Sequence, residues 1–163
     1  LAIGDALAIA SLKKKQFSKY DFSRLHPGGN LGKQLKTVED VMASGTKIPF
    51  INENKKMKEA IKIISKKKLG VVIARNRNKI TTGIITDGNI RKLRQKNTDF
   101  QKTSVKDVMT KNPITITSDT LAIKALRIMN EKKITSLCVI KDKNFNKTTG
   151  IIHIHHILET NIE

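Results

Sequence analysis

The sequence predicts an α+β protein made of two copies of a β-α-β-β-α unit, and three observations carry the prediction. A short motif occurs twice, as Val38-Glu39-Asp40-Val41-Met42 and as Val105-Lys106-Asp107-Val108-Met109. The same order of apolar segments and turns follows each copy. The hydrophobic fraction, 38%, is mainly Ile, Val and Leu with no Trp, which favours an aliphatic core built partly from strands.

After each motif comes a short alternating segment, Ile48-Pro49-Phe50-Ile51 or Ile114-Thr115-Ile116-Thr117, read as a strand. An amphipathic helix follows. Met57, Ala60, Ile61 and Ile64 take positions i, i+3, i+4 and i+7, and Ala122, Ala125, Leu126 and Met129 repeat the spacing. Asn54 is the candidate N-cap of the first helix, and Ser118 or Asp119 of the second. Next come the apolar strands Val71 to Ala74 and Leu137 to Ile140, each followed by a polar turn and a return strand, Thr82 to Thr86 or Thr149 to His153. Each return strand runs directly into a short helix. Neither copy covers both faces of its own sheet, so the two are expected to pack as a pseudo-twofold pair. Gln95 to Thr103 is polar and aperiodic, as a linker between copies would be.

The chain has 163 residues, enough for one or two small domains without disulfides or metal. Its one cysteine, Cys138, lies in the apolar run Ser136 to Ile140 and reads as a buried hydrophobe, not a nucleophile. No stretch approaches the roughly 18 apolar residues of a membrane helix, and Leu1-Ala2-Ile3-Gly4-Asp5 lacks a basic leader. The expected compartment is the cytoplasm. Because an apolar helix is already under way at a first residue other than Met, the chain also reads as the tail of a longer polypeptide.

The formal charge of +18 raises the question of nucleic acid. The excess is spread along the whole chain, no aromatic residues are interleaved to stack bases, and Lys13 to Lys15 and Lys66 to Lys68 fall near helix C-termini, where cations complement the helix dipole. Solvated helix ends are therefore the expectation, and a basic nucleic-acid-binding module is the less favoured alternative.

The Val-x-Asp-Val-Met openings and the ending Gly83-Ile84-Ile85-Thr86-Asp87-Gly88-Asn89 resemble the tandem CBS (Bateman) pair. Upstream, Gly4-Asp5-Ala6-Leu7-Ala8, Phe17, Asp21-Phe22 and His26-Pro27-Gly28-Gly29-Asn30-Leu31-Gly32-Lys33 resemble the end of the sugar isomerase (SIS) domain of D-arabinose 5-phosphate isomerases. The resemblance divides the chain into a C-terminal helical remnant of an α/β SIS domain (1–35), CBS repeat 1 (36–98) and CBS repeat 2 (99–163).

That family converts ribulose 5-phosphate to arabinose 5-phosphate, on the route to Kdo and lipopolysaccharide, and the chemistry needs a positioned acid/base group. His26 matches the family's active-site histidine. By residue type alone, a His before Pro-Gly-Gly is more often a loop or capping residue. The phosphate-binding and other catalytic residues of the family would lie upstream of Leu1, so the chain alone is expected to be inactive. The resemblance also implies a homo-oligomer, a CBS dimer here and a tetramer of the full enzyme, with no cofactor.

CBS pairs bind nucleotides between the copies through the pattern Gly-h-h-Thr-x-x-Asp (h, apolar), in which the threonine contacts phosphate or sugar and the aspartate accepts from ribose. Here Thr86 and Asp87 are present, but Asn89 replaces the aspartate. In the second copy His153 and His156 stand at the threonine and aspartate positions, with His155 between them. Loss of both carboxylates, with Arg91 and Lys92 nearby, favours a small anionic ligand, a nucleotide or a nucleotide sugar such as CMP-Kdo. Clefts that bind nothing are the alternative, as is a free-standing nucleotide sensor without catalysis. No metal is assigned to the three histidines, since two imidazoles without a placed third ligand rarely make a specific site.

Overall fold

The computed structural model describes residues 1–18, 21, 25, 35–141 and 146–160. Helix α1, Ala2–Lys14, is mostly apolar up to its final lysines, has no distinct polar face and buries none of its residues; Leu1, Ile3, Leu7 and Ile9 are each more than half exposed. Repeat 1 then supplies α2 (Val38–Val41), β1 (Ala43–Ser44), β2 (Phe50–Asn52), α3 (Met57–Lys67), β3 (Val71–Arg75), β4 (Thr81–Thr86) and α4 (Asp87–Gln95). Repeat 2 supplies α5 (Val105–Val108), β5 (Thr110–Lys111), β6 (Thr115–Thr117), α6 (Ala122–Lys132), β7 (Ser136–Ile140), β8 (Thr148–His153) and α7 (Ile154–Leu158). The α+β class and both antiparallel hairpins, β3-β4 and β7-β8, follow the sequence pattern.

Among the described residues the strands form two four-stranded sheets, ordered β2-β3-β4-β5 and β6-β7-β8-β1. The opening strand of each repeat thus belongs to the other repeat's sheet. Ala43 and Ser44 pair with Ile151 and Gly150, while Lys111 and Thr110 pair with Gly83 and Ile84. Two-residue strands are too short to show alternation, which is why the sequence pattern does not reveal them.

The exchange explains the repeated motif residue by residue. Thr37 donates from both its N–H and its hydroxyl to the Asp40 carboxylate (2.7 and 2.8 Å), and Ser104 does the same to Asp107 (3.3 and 2.6 Å). Each aspartate therefore closes a capping box on a one-turn helix. The Ser104 hydrogen bonds hold the Asp107 carboxyl below its ordinary pKa. The first valine of each motif is fully buried in the opposite half: Val105 packs with Ile51, Met57, Val72 and Ile85, and Val38 with Met129, Leu137, Ile152 and Ile157. The closing methionines, Met109 and Met42, lie over Gly83 and Gly150.

The two long helices are capped differently from the sequence expectation. Their N-cap residues are Lys56 and Leu121, not Asn54, Ser118 or Asp119, and neither side chain accepts a hydrogen bond from the helix N–H groups. Backbone carbonyls of the exchanged segments take the place of side chains. The Met57 N–H donates to Thr103 O (3.0 Å), the Lys58 N–H to Phe100 O (3.2 Å) and the Ala122 N–H to Lys36 O (2.8 Å). These bonds satisfy donors that would otherwise be left over at a helix start. The segment after Gln95 is thus more than a spacer: its Phe100 also packs on the repeat 1 core.

The continuous apolar runs of the inner strands arise because both faces of each sheet are covered. Val72, Ala74 and Ile85 face α3, and Leu137, Val139 and Ile152 face α6. Val71, Ile73, Ile84, Cys138 and Ile151 instead form the layer between the sheets. Burial there pushes the Cys138 thiol up to about 12, so it stays a protonated core residue at neutral pH. The halves also meet through buried polar groups: Thr81 Oγ1 lies 2.7 Å from Thr148 Oγ1 and accepts from the Thr148 N–H at 3.2 Å. Thr81→Val is expected to cost about 1–2 kcal/mol in denaturant unfolding, and Thr81→Val/Thr148→Val less than the sum of the single changes, because no orphaned hydroxyl is left. Additive costs would show that the two hydroxyls are independent.

Among the described residues the ion pairs are Lys55–Glu59 and Arg127–Glu131, both i, i+4 on exposed helix faces. Lys13 and Lys14 occupy the last turn of α1, and Lys66 and Lys67 that of α3. Most of the positive charge is therefore solvated or set against a helix C-terminus.

Candidate functional site

Two equivalent corners, β4 into α4 and β8 into α7, hold the candidate ligand residues. At the first, Thr86 is the N-cap of α4 and Asn89 its third residue. The Thr86 N–H and hydroxyl both donate to Asn89 Oδ1 at 2.9 Å. The Asn89 amide group then donates to the carbonyl of Val108 and to the Thr110 hydroxyl, each at 3.3 Å, tying α4 to the segment contributed by repeat 2. An aspartate could not make those last two donations, so the amide has a structural role as a link between repeats.

Asp87 is exposed in the first turn of α4, where a carboxylate complements the helix dipole, and it lies beside Gly70. Arg91 is exposed one turn further on and makes no ion pair among the described residues.

At the second corner, His153 is the N-cap of α7 and His156 its third residue. The His155 N–H donates to His153 Nδ1 (3.2 Å), and the His153 N–H donates to His156 Nδ1 (3.4 Å). The three rings gather, with His153 centred 5.0 Å from His155 and 6.1 Å from His156. Burial, then the neighbouring imidazoles, lower the pKa of His153. Burial is also the main cause that lowers that of His156, with Glu159 opposing it and Lys47 adding to it. His155 lies in the first turn of the helix, after the strand has ended at His153. Among the described residues no three His, Cys, Asp or Glu side chains are arranged to hold a metal. His26 lies outside the described residues.

A small cavity of about 180 Å³ opens beside Asn89 and is lined also by Lys92, Lys96 and Asp107. It is smaller than the roughly 300–1,000 Å³ of a typical small-molecule site. A larger hollow, about 760 Å³, runs along the outer face of α6 and includes none of the corner residues. Sequence reasoning missed Lys96, Asp107, Val108 and Thr110, which reach the first corner from the other side of the linker or the end of α4, and Lys47 beside His156. It also missed Ser136, whose buried hydroxyl has no partner among the described residues and which pairs with His153 in the β7-β8 ladder. The signal available was the duplication: once each motif is assigned to the opposite sheet, its residues fall at these corners.

Residues 38–96 and 105–163 both match the CBS domain family. With two matched repeats folded as a pair of sheets, the chain belongs to the CBS-domain family as a tandem CBS pair. Its curated relatives include the arabinose 5-phosphate isomerase KdsD of Escherichia coli O6:H1 (strain CFT073), 34% identical over 99% of this chain and 49% of that protein. KdsD of Francisella tularensis (strain SCHU S4) is 38% identical over 98% of this chain and 48% of its own length. The chain therefore spans about half the length of the relatives it matches. Among solved structures, CBSX2 in complex with AMP superimposes with a TM-score of 0.67 at 21% identity, covering 77% of this chain and 96% of that one. The CBS domain pair of MJ0100, in complex with 5'-methylthioadenosine and S-adenosyl-L-methionine, gives 0.68 at 23%, covering 77% and 94%. Among the described residues no helix is long and apolar enough to cross a membrane.

Proposed function

We propose that this chain is the regulatory and oligomerising CBS module of an arabinose 5-phosphate isomerase, acting in the cytoplasm and binding a small anionic nucleotide or nucleotide sugar at its corner clefts. The observation that carries the reading is the extent of the KdsD similarity, which runs over 99% of the chain and so includes the first 35 residues, ahead of both CBS repeats. Those residues are proposed as the end of the sugar isomerase domain, with His26 in its active site. Helix α1 supports this, since its exposed Ile3, Leu7 and Ile9 need a partner surface to bury them. The repeats, 36–98 and 99–163, would then form the dimer contact of a tetrameric enzyme.

Ligand preference follows from the corners. Asn89 and His156 place no carboxylate where a ribose would donate, and around the first corner Arg91, Lys92 and Lys96 outnumber Asp87 and Asp107. CMP-Kdo, which carries a sugar carboxylate in addition to its phosphodiester, is a ligand of the charge that these cations favour.

The test has two arms. The 163-residue chain is expected to show no turnover of ribulose 5-phosphate, and the protein extended through its upstream half to be active until His26→Ala is introduced. Turnover by the chain alone would overturn the catalytic assignment. Titration calorimetry of the parent and of Asn89→Asp/His156→Asp with AMP and CMP-Kdo, at one salt concentration, is expected to show AMP binding strengthened by the double substitution. Each charged hydrogen bond contributes on the order of 1.5–3 kcal/mol before desolvation is subtracted. Tight AMP binding that the double substitution leaves unchanged would place the ribose elsewhere.

A further inference from the structure

The two corners share one geometry and differ in one chemical property. Thr86 and Asn89 accept and donate identically at every pH a protein survives, whereas His153 and His156 hold their hydrogen bonds through Nδ1 lone pairs that a proton would occupy. We propose that α7 is held by a proton-sensitive latch, in which neutral His153 and His156 cap the helix and their protonation releases it together with the buried Ile157.

Both acceptors require the imidazole to carry its proton on Nε2. A proton added at Nδ1 turns each acceptor into a donor facing a backbone N–H, and sets a positive charge at a helix start whose own dipole is positive. The two rings lie about 6 Å apart, so charging one also opposes charging the other.

The other charged groups around the latch can be named element by element. From α7, His155 adds repulsion and from its C-cap Glu159 favours the charged form of His156, while Lys47, in the turn before β2, opposes it. From β7, Ser136 stands opposite His153 and is uncharged. Helix α6 turns Ala122, Ala125 and Met129 towards the cluster containing Ile157 and keeps Lys124, Arg127, Glu131 and Lys132 exposed. From α2, Asp40 is engaged by Thr37 and Glu39 by Ser118.

The lowered pKa values of both histidines fix the sign. The unfolded segment takes up protons near the ordinary 6.5, before the folded one does, so the latch is fully closed above that pH. Its contribution is lost as pH falls from there through the lower folded values. Ile157 is fully buried in the repeat 2 core, so release exposes apolar surface in that half alone.

The test uses the whole chain without ligand. Imidazole nitrogen NMR is expected to find His153 and His156 in the Nε2–H form at pH 7.5, titrating below 6.5. Amide exchange, corrected for intrinsic rate, is expected to show α7 losing protection relative to α4 by about tenfold or more between pH 7.5 and 5.5. His153→Thr/His156→Asn, which transplants the cap of α4, is expected to remove that step, and His155→Ala to keep it. A step that survives the double substitution overturns the proposal. So do wild-type imidazoles that titrate at or above 6.5, a result that decides the matter even where the double variant does not fold.

Discussion

Val105→Asp is expected to lower stability by about 3–5 kcal/mol and to loosen the half built from repeat 1, although Val105 opens repeat 2. The side chain is fully buried among Ile51, Met57, Ala60, Ile64, Val72 and Ile85, all from the other repeat. A carboxylate placed there meets no donor and must be buried charged or taken up as the acid, and either course is costly. Because so large a loss can unfold the whole chain, the milder Val105→Ala, at about 2 kcal/mol, maps the effect better. Native-state amide exchange is expected to show Val72 and Ile85 losing more protection than Leu137 and Ile152. Val38→Ala is expected to reverse the ranking. If Val105→Ala instead frees β7 and β8 first, the exchange of opening segments is wrong.

Gly83→Ala is expected to cost about 2–3 kcal/mol, and Gly150→Ala, at the equivalent position, about 1 kcal/mol. A methyl on Gly83 would stand 2.6 Å from Met109 Sδ and 2.9 Å from the Thr110 carbonyl oxygen, which is fixed in the β4-β5 ladder. At Gly150 the nearest atoms all belong to the Met42 side chain, which has rotamers to spare. Shortening the methionine separates the two cases. Met42→Ala should make Gly150→Ala nearly neutral in that background, whereas Met109→Ala should relieve only part of the cost at Gly83. Urea midpoints of the six variants decide it, and equal costs at the two glycines would mean that the ladder carbonyl yields as easily as a thioether.

The elements with strong periodicity were legible in the sequence. Helices α3 and α6 show their apolar stripe, and β3, β4, β7 and β8 their run and turn, because each alone carries enough residues to display a repeat. What was not legible was anything settled between segments distant in the chain. Asn54, Ser118 and Asp119 are sound capping residues by type, yet carbonyls of Thr103, Phe100 and Lys36 reach the helix starts first. At the corners, the positions of Thr86, Asn89, His153 and His156 could be aligned from the duplication. That Asn89 spends its amide on Val108 and Thr110 could not, since it depends on the strand exchange.

That exchange also bears on how the protein is made. As the chain leaves the ribosome, α3, β3 and β4 emerge while the valine that fills their core, Val105, is still to be translated. Residues 36–44, already synthesised, wait in turn for β8, more than a hundred residues downstream. Neither half can close on its own schedule, so the pair is expected to fold late and as a single cooperative event, with high contact order for its size. Cutting between the repeats would hand each fragment the other's lid.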